Sequence, residues 1–583
     1  MFSILFGTKV HRKRVAFLLS LIFACSMFSL PSQISEAAPA SAATIPGAYT
    51  ATWVGASSQD TDTTTAPPMQ ALGMYTGPDG NCYTAASWDE SGPNGTVVTA
   101  DGKLTGINLG VTGDGAIAAN SSYVYSQAGH TGFAKCKKTG GRVKNVDCGT
   151  WVDGIAATES EVFVSCPDAN LVKVYDAKSM AFKSQFSVSQ PRRSVAAPDG
   201  SLWVISGKVP RIDNARDVKN YGCSILHISS TGKVIAAIKG LQRPRGLAIM
   251  NNKLYVAEDG TDQNFKIYSN VSSLKGTVTP KNTNFGAVGG VFEGKGANTG
   301  KTGPLRFNHP TGVGVDSKGN IYTSEWATYT GGGMILSKYS PSGNRLWVVY
   351  GLCFEDGLDF DPTTDGVDLY DKCRHYKMDY SKGPGQEWSL VGYTHNRYKY
   401  DFDMRSSFIM DNPGNTWVKV IQGRKLLFVT RQTRGDIQVF RFEPSTNGET
   451  AIPCGLIADI HEPYDNSKGW PRGGLEWDGI KEPVWTDNQP PIREKSDVWN
   501  DGYIWCDLDG DTVPDANEFT QPNGPAHTWT ATIGNNGDLW MQNAARKGLV
   551  KVPFQGFTSA GVPKWDYTKS RQFNLPVPFN SVV

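Results

Sequence analysis

The sequence predicts an all-β fold, a β-propeller of seven or eight four-stranded blades, on three observations. A short phrase recurs at a fixed interval, alternating apolar and polar segments follow most copies, and turn residues punctuate both. The phrase opens on small or apolar residues, passes through a turn and closes on an aromatic. Its first copies close at Tyr83, Tyr123, Phe163 and Trp203, a constant spacing of 40 residues. A period near 40 is that of one four-stranded propeller blade. Such a blade buries its apolar faces only against its neighbours, and ring closure protects the edges.

The first 43 residues read as a secretory signal peptide rather than as part of the fold. Lys9, His11, Arg12, Lys13 and Arg14 make a basic start, residues 15–30 are apolar, and Ala40-Ser-Ala42 supplies small residues for cleavage. The apolar run is too short for a convincing membrane span, and no later segment is apolar enough for one. Residues 44–68, rich in Thr, Ser, Asp and Pro, read as a surface leader. The propeller then fills 69–583.

Further copies close with looser spacing at Tyr255 and Tyr322, and weaker ones at Phe428 and Trp540. The second half of a blade shows strict alternation, the strand period, as in Leu171-Val-Lys-Val-Tyr-Asp176 and Ile437-Gln-Val-Phe-Arg-Phe442. Gaps between the late copies exceed one blade. They predict insertions at about 352–400 and 444–525.

The net charge is +2 and no basic run lies beyond the signal, which excludes a nucleic-acid partner. Ten cysteines fall to nine once Cys25 leaves with the signal. An oxidising compartment permits disulfides, with Cys136–Cys148 and Cys353–Cys373 as candidate pairs.

The sharpest chemical motif is Asp507-Leu-Asp509-Gly-Asp511-Thr-Val513-Pro-Asp515-Ala-Asn-Glu518. Carboxylates stand at loop positions 1, 3, 5, 9 and 12, with the Val513 carbonyl at 7, the oxygen pattern of a calcium loop. Thr512 occupies the position where the sharp turn wants Gly. A structural Ca²⁺ is the cofactor this motif predicts.

In a propeller, loops before each innermost strand and after each second strand share one face, and binding chemistry concentrates on such loops. This places His130, Asp259, His309, Glu325 and His527 together as candidate acid–base residues. Trp88, Glu90, Trp151, Arg245, Trp326 and Arg431 are the candidate ligand-binding residues. Indole faces suit sugar rings, guanidinium groups suit anions, and a His/acid pair suits proton transfer.

Arg306-Phe-Asn-His-Pro-Thr-Gly-Val-Gly-Val-Asp316 through Tyr322 resembles an NHL-type repeat, and Arg243 through Asp259 is similar to it. With Trp88-Asp-Glu90, Gly423-Arg-Lys425 and the stretch from Trp505 to Glu518, the chain resembles a group of large secreted bacterial NHL-repeat propellers over roughly 50–560. The resemblance marks architecture and specifies no activity. By repeat, the chain is also similar to streptogramin lyase, the peptide-amidating lyase and the gluconolactonase-like propellers, without matching their catalytic motifs.

Two functions are therefore expected. The first is a secreted, calcium-stabilised module binding an extracellular polysaccharide or small polar ligand. The alternative is a lyase or lactone hydrolase working through a His/acid pair at the channel mouth.

Overall fold

The computed structural model describes residues 54–56, 67–87, 94–209, 220–292, 296–326, 333–351, 357–383, 385–400, 403, 405, 413–431, 437–458, 503–522, 528–543 and 548–574. The signal-like residues 1–43, most of the leader, and Trp88, Glu90, Cys353 and His527 lie outside them. So does the side chain of Arg431, whose backbone ends the strand Arg424–Arg431.

The fold is all-β. Among the described residues, nine sheets of four to six strands, antiparallel except for one pair, follow one another along the chain, with a two-stranded hairpin late in the sequence. We number the sheets in chain order. Sheets 1 to 6 span 73–108, 117–147, 154–187, 191–241, 244–285 and 310–350, and sheets 7 to 9 span 359–393, 413–520 and 528–574. Sheet 4 also takes in the parallel strand Gly276–Val278.

The six first strands Gly73–Thr76, Ile117–Ala119, Gly154–Ala157, Pro191–Ala196, Pro244–Met250 and Pro310–Val315 touch one another in cyclic order, the last returning to the first. Each of the six interfaces has its own apolar cluster. Phe163, Val174, Leu202 and Ile228 join sheets 3 and 4, and Phe265, Phe307, Val313 and Tyr339 join sheets 5 and 6. The ring closes between sheets 6 and 1 through Leu72, Met74, Tyr322, Trp326 and Trp347. Backbone carbonyls of sheet 1 fasten this seam: Trp347 Nε1 and Lys338 Nζ donate to Ala100 O at 3.0 and 2.8 Å.

The blade count therefore divides differently from the expectation. Six sheets close a ring, where seven or eight blades were expected in one. Sheets 7 to 9 form a second array, in which Tyr370, Val418, Leu427 and Trp505 join sheets 7 and 8. Phe428, Val439, Ile533 and Met541 join sheets 8 and 9. The expected insertion at 352–400 is itself a four-stranded sheet. Within the expected insertion at 444–525, Ile452–Ala458, Tyr503–Cys506 and Phe519–Thr520 extend sheet 8.

All eight repeat aromatics fall in second strands. Tyr83, Phe163, Trp203, Tyr255, Tyr322 and Phe428 are buried in the clusters between sheets, which explains the repeat: each blade needs one large side chain there. Sheet 7 has its own equivalent, Tyr370.

The expected Cys136–Cys148 disulfide is not formed, and Cys353 of the other expected pair lies outside the described residues. Cys136 and Cys148 are separate buried thiols packed in different clusters, and Cys373 is likewise a free buried thiol. The eight described cysteines serve as small apolar side chains of the interior.

Candidate functional site

In an antiparallel sheet the start of the first strand lies opposite the end of the second. In sheet 5 Pro244 pairs with Glu258, and in sheet 6 Pro310 pairs with Glu325. The residues just beyond, Arg243 with Asp259 and His309 with Trp326, prolong each ladder: Asp259 N–H donates to Arg243 O and Trp326 N–H to His309 O. Two neighbouring sheets thus carry their charged residues to the same end of the ring.

Asp259 is the centre of this group. Its Oδ1 accepts from His309 Nδ1 at 2.9 Å, Arg397 Nη2 at 2.7 Å and Gln263 Nε2 at 3.2 Å. Its Oδ2 faces Arg245 Nε at 3.4 Å and Arg243 Nη2 at 3.5 Å. The His309 backbone N–H donates to Gln263 Oε1 at 2.7 Å, and Arg397 Nη1 also meets His309 Nε2. Tyr398 hydroxyl donates to Gly260 O at 3.0 Å.

Burial opposes ionisation of Asp259, yet His309, Arg397 and Arg243 beside it outweigh burial and hold its carboxyl well below the usual range. His309 moves the other way. Burial and then the Arg397 charge lower it to about 4, against the pull of Asp259. The imidazole is therefore neutral at physiological pH, with its proton on Nδ1 donated to the carboxylate and the Nε2 lone pair turned to Arg397. His309 also sits at φ 60°, the left-handed region. A non-glycine residue held there costs on the order of 1–3 kcal/mol and persists where its surroundings fix it.

The sequence placed Asp259, His309 and Arg245 on one face, and the structure joins them in one network. Glu325 lies at the same end but does not orient the imidazole: its Oε2 accepts the Asn308 N–H at 2.6 Å, and burial pushes its carboxyl up to about 8. His130 stacks on Trp151 at 5.7 Å, and the Arg192 guanidinium lies 4.6 Å from the Trp151 ring. Trp151 is 8% exposed and Trp326 is 3% exposed, the latter packed with Leu72 and Met334. Neither indole offers an open face to a sugar, which corrects their expected role as stacking platforms. Gln263, Arg397 and Tyr398 were not predicted. Arg397 and Tyr398 follow sheet 7 in a stretch without repeat phase, so no sequence signal aligned them with sheets 5 and 6.

The acidic loop after Tyr503–Cys506 brings carboxylate oxygens of Asp507, Asp509 and Asp511 within 4.8 Å of one another. Thr512 sits at φ 70°, so the loop makes its sharp left-handed turn at the expected position without glycine. Asp507 is fully buried, and its Oδ2 has no hydrogen-bond partner among the described residues. Burial pushes its carboxyl up to about 6, opposed by the Thr512 N–H and reinforced by Glu518. An enclosed carboxylate oxygen without a donor, beside two more carboxylates, fits a hard divalent cation. Of the expected ligands, Asp507, Asp509 and Asp511 converge, while the Glu518 carboxylate is engaged in hydrogen bonds. Glu518 accepts from Trp505 Nε1 at 2.9 Å, Leu508 N–H at 2.5 Å and Asp515 N–H at 3.0 Å, and closes a capping box with Asp515. The Val513 side chain is exposed.

No protein-family model matches the chain, and no curated protein matches it. Among solved structures it is similar to virginiamycin B lyase from Staphylococcus aureus, at 12% identity over 58% of this chain and 97% of that one, with a TM-score of 0.31. It is similar to a gluconolactonase from Xanthomonas campestris at 13% identity over 46% of this chain and 82% of that one, TM-score 0.28. The calcium-binding protein regucalcin from Agrobacterium tumefaciens shows 11% identity over 57% of this chain and 93% of that one, TM-score 0.28. At these values the likeness concerns fold and does not extend to ligand or activity.

Proposed function

We propose that this chain is an exported, calcium-stabilised propeller enzyme, a lyase or lactone hydrolase, with His309 as its acid–base group and Asp259 as the residue that positions it. The observation carrying this reading is the pair itself, Asp259 Oδ1 to His309 Nδ1 at 2.9 Å in a buried setting. Lactone hydrolysis needs a base for the attacking water and a cation for the oxyanion. β-Elimination needs a base for the proton next to a carboxylate and a cation for the enolate. A neutral imidazole with its tautomer fixed by Asp259, beside the guanidinium groups of Arg243 and Arg245, supplies both. Arg397 now meets the Nε2 lone pair, so in this reading a substrate proton donor takes its place.

Export rests on the signal-like residues 1–43 and the NHL-type likeness on the Arg306 to Tyr322 phrase. Calcium rests on the orphaned Asp507 oxygen and the convergence of Asp509 and Asp511 on it. The polysaccharide-binding alternative needs open indole faces, and neither Trp151 nor Trp326 provides one.

The test is turnover. Purified protein is offered sugar and aliphatic lactones and uronate polysaccharides, with acid release and unsaturated product as readouts. His309→Gln should lower turnover by about 10²-fold or more with the circular dichroism spectrum unchanged. No turnover on any substrate, or a His309→Gln variant as active as the wild type, overturns the reading.

A further inference from the structure

The axis of the six-sheet ring holds a cavity of about 880 Å³, within the roughly 300–1,000 Å³ typical of small-molecule sites. Its wall is formed by the first strands, each the terminal strand of its sheet. The channel narrows toward the Asp259 end, where glycines let the strands nearly touch. A Cβ at Gly73 would lie 2.1 Å from Gly115 O, and one at Gly246 would lie 2.8 Å from the Gly312 Cα. It reaches in the other direction to the turns between first and second strands, where Glu159, Asp199, Asn251 and Asn252 line it. This is the face opposite the His309 network.

The wall chemistry is graded along the axis. Ile155, Val195, Leu247, Ile249, Val313 and Val315 make the middle apolar. At the narrow end stand two guanidinium groups, Arg193, held by Asp153 at 3.2 Å, and Arg245, held by Asp259 at 3.4 Å. The carboxylates Glu159 and Asp199 occupy the far end. From Arg193 to Ala197 the first strand of sheet 4 climbs about 13 Å at roughly 3.3 Å per residue. A narrowing channel of that depth suits one slender molecule or a chain terminus.

We propose that this channel binds a small organic anion with an apolar body, entering between the first-to-second-strand turns and placing its anionic head at Arg193 and Arg245. The body displaces water from the apolar middle, and the head finds cationic donors at the narrow end. The carboxylates at the far end disfavour a ligand inserted head-outward. The ligand enters from the face opposite the His309 network and the imidazole does not line the cavity, while Arg245 borders both.

The test uses the full chain and three probes of equal length: octanoate, octan-1-ol and octylamine. Isothermal titration should show octanoate bound at least tenfold more tightly than the alcohol, with no heat from the amine. Ala196→Phe, which fills the wall of the channel, should abolish octanoate binding with the melting temperature retained. Val195→Phe narrows the same stretch and serves as the second variant where Ala196→Phe does not fold. Wild-type protein that binds no octanoate at millimolar concentration, alcohol binding as tightly as octanoate, or a folded filling variant that binds like the wild type overturns the proposal. Lactone or lyase turnover measured in the same variants separates the two sites, because failure here leaves the His309 assay untouched.

Discussion

Glu325 shows what enclosure does to a single carboxyl group. Burial raises it to about 8 from an ordinary 4.5, opposed by the Asn308 N–H and the Arg345 charge. Between these values the folded chain keeps a proton that the unfolded chain has released. Stability therefore falls as pH rises through this window, by at most about 1.4 kcal/mol per pH unit from this group, and levels off above it. Glu325→Gln removes the titrating group while keeping an acceptor for Asn308. Urea unfolding at pH 5 and pH 8 should show the wild type losing more stability than the variant across the interval, and equal losses would refute the assignment. At this scale the sequence revealed residues whose placement follows from blade phase. Asp259 directly follows a second strand and His309 directly precedes a first, so their meeting was foreseeable. Arg397 was not, because its contact with Asp259 spans 138 residues and crosses from one array of sheets to the other.

At the scale of elements, the acidic loop and sheet 7 show the strength and the limit of pattern reading. The loop's carboxylate spacing predicted convergence, and Asp507, Asp509 and Asp511 do converge. The capping use of Asp515 and Glu518 was hidden, because a short 3-10 turn at Ala516–Glu518 follows the loop in place of a helix. Calcium would relieve the enclosed Asp507 carboxylate, and a site held at a hundred times its Kd contributes about 2.7 kcal/mol. EDTA should lower the melting temperature of the wild type and leave Asp507→Asn unaffected, and elemental analysis should find calcium in the wild type alone. A chelator-insensitive, calcium-free protein would reject the site. Sheet 7 was misread as an insertion for a related reason. Its first strand is only Asp359–Phe360, and Asp361, Asp365 and Asp368 make the segment look like an acidic surface loop. Those carboxylates do structural work: Asp361 meets Lys425 at 3.2 Å, and Asp368 meets His375 at 2.8 Å.

Across the whole molecule, the ring and the later sheets are joined by the segment after sheet 7. Thr394 O accepts from Ala451 N–H in the second array, while three residues on Arg397 grips Asp259 in the ring. The same chain contacts the ring again where Tyr393 N–H donates to Gly300 O and Tyr398 hydroxyl to Gly260 O. This joint is polar and enclosed, so its members depend on one another. Removing one partner of a buried ion pair costs about 3–5 kcal/mol, because the remaining charge stays buried. Arg245, Arg243 and His309 still face Asp259 in an Arg397→Met variant, which places its cost near the lower end of that range. The larger consequence is for cooperativity. With the joint intact, the closed ring and the stacked sheets should melt in one calorimetric transition. In Arg397→Met each array keeps its own apolar interfaces but loses the guanidinium that links them, so the transition should split in two. Asp259→Asn should split it in the same way, and the double variant should cost less than the two single changes added together. A single unshifted transition in Arg397→Met would place the coupling elsewhere in the joint and leave Arg397 with the His309 centre alone.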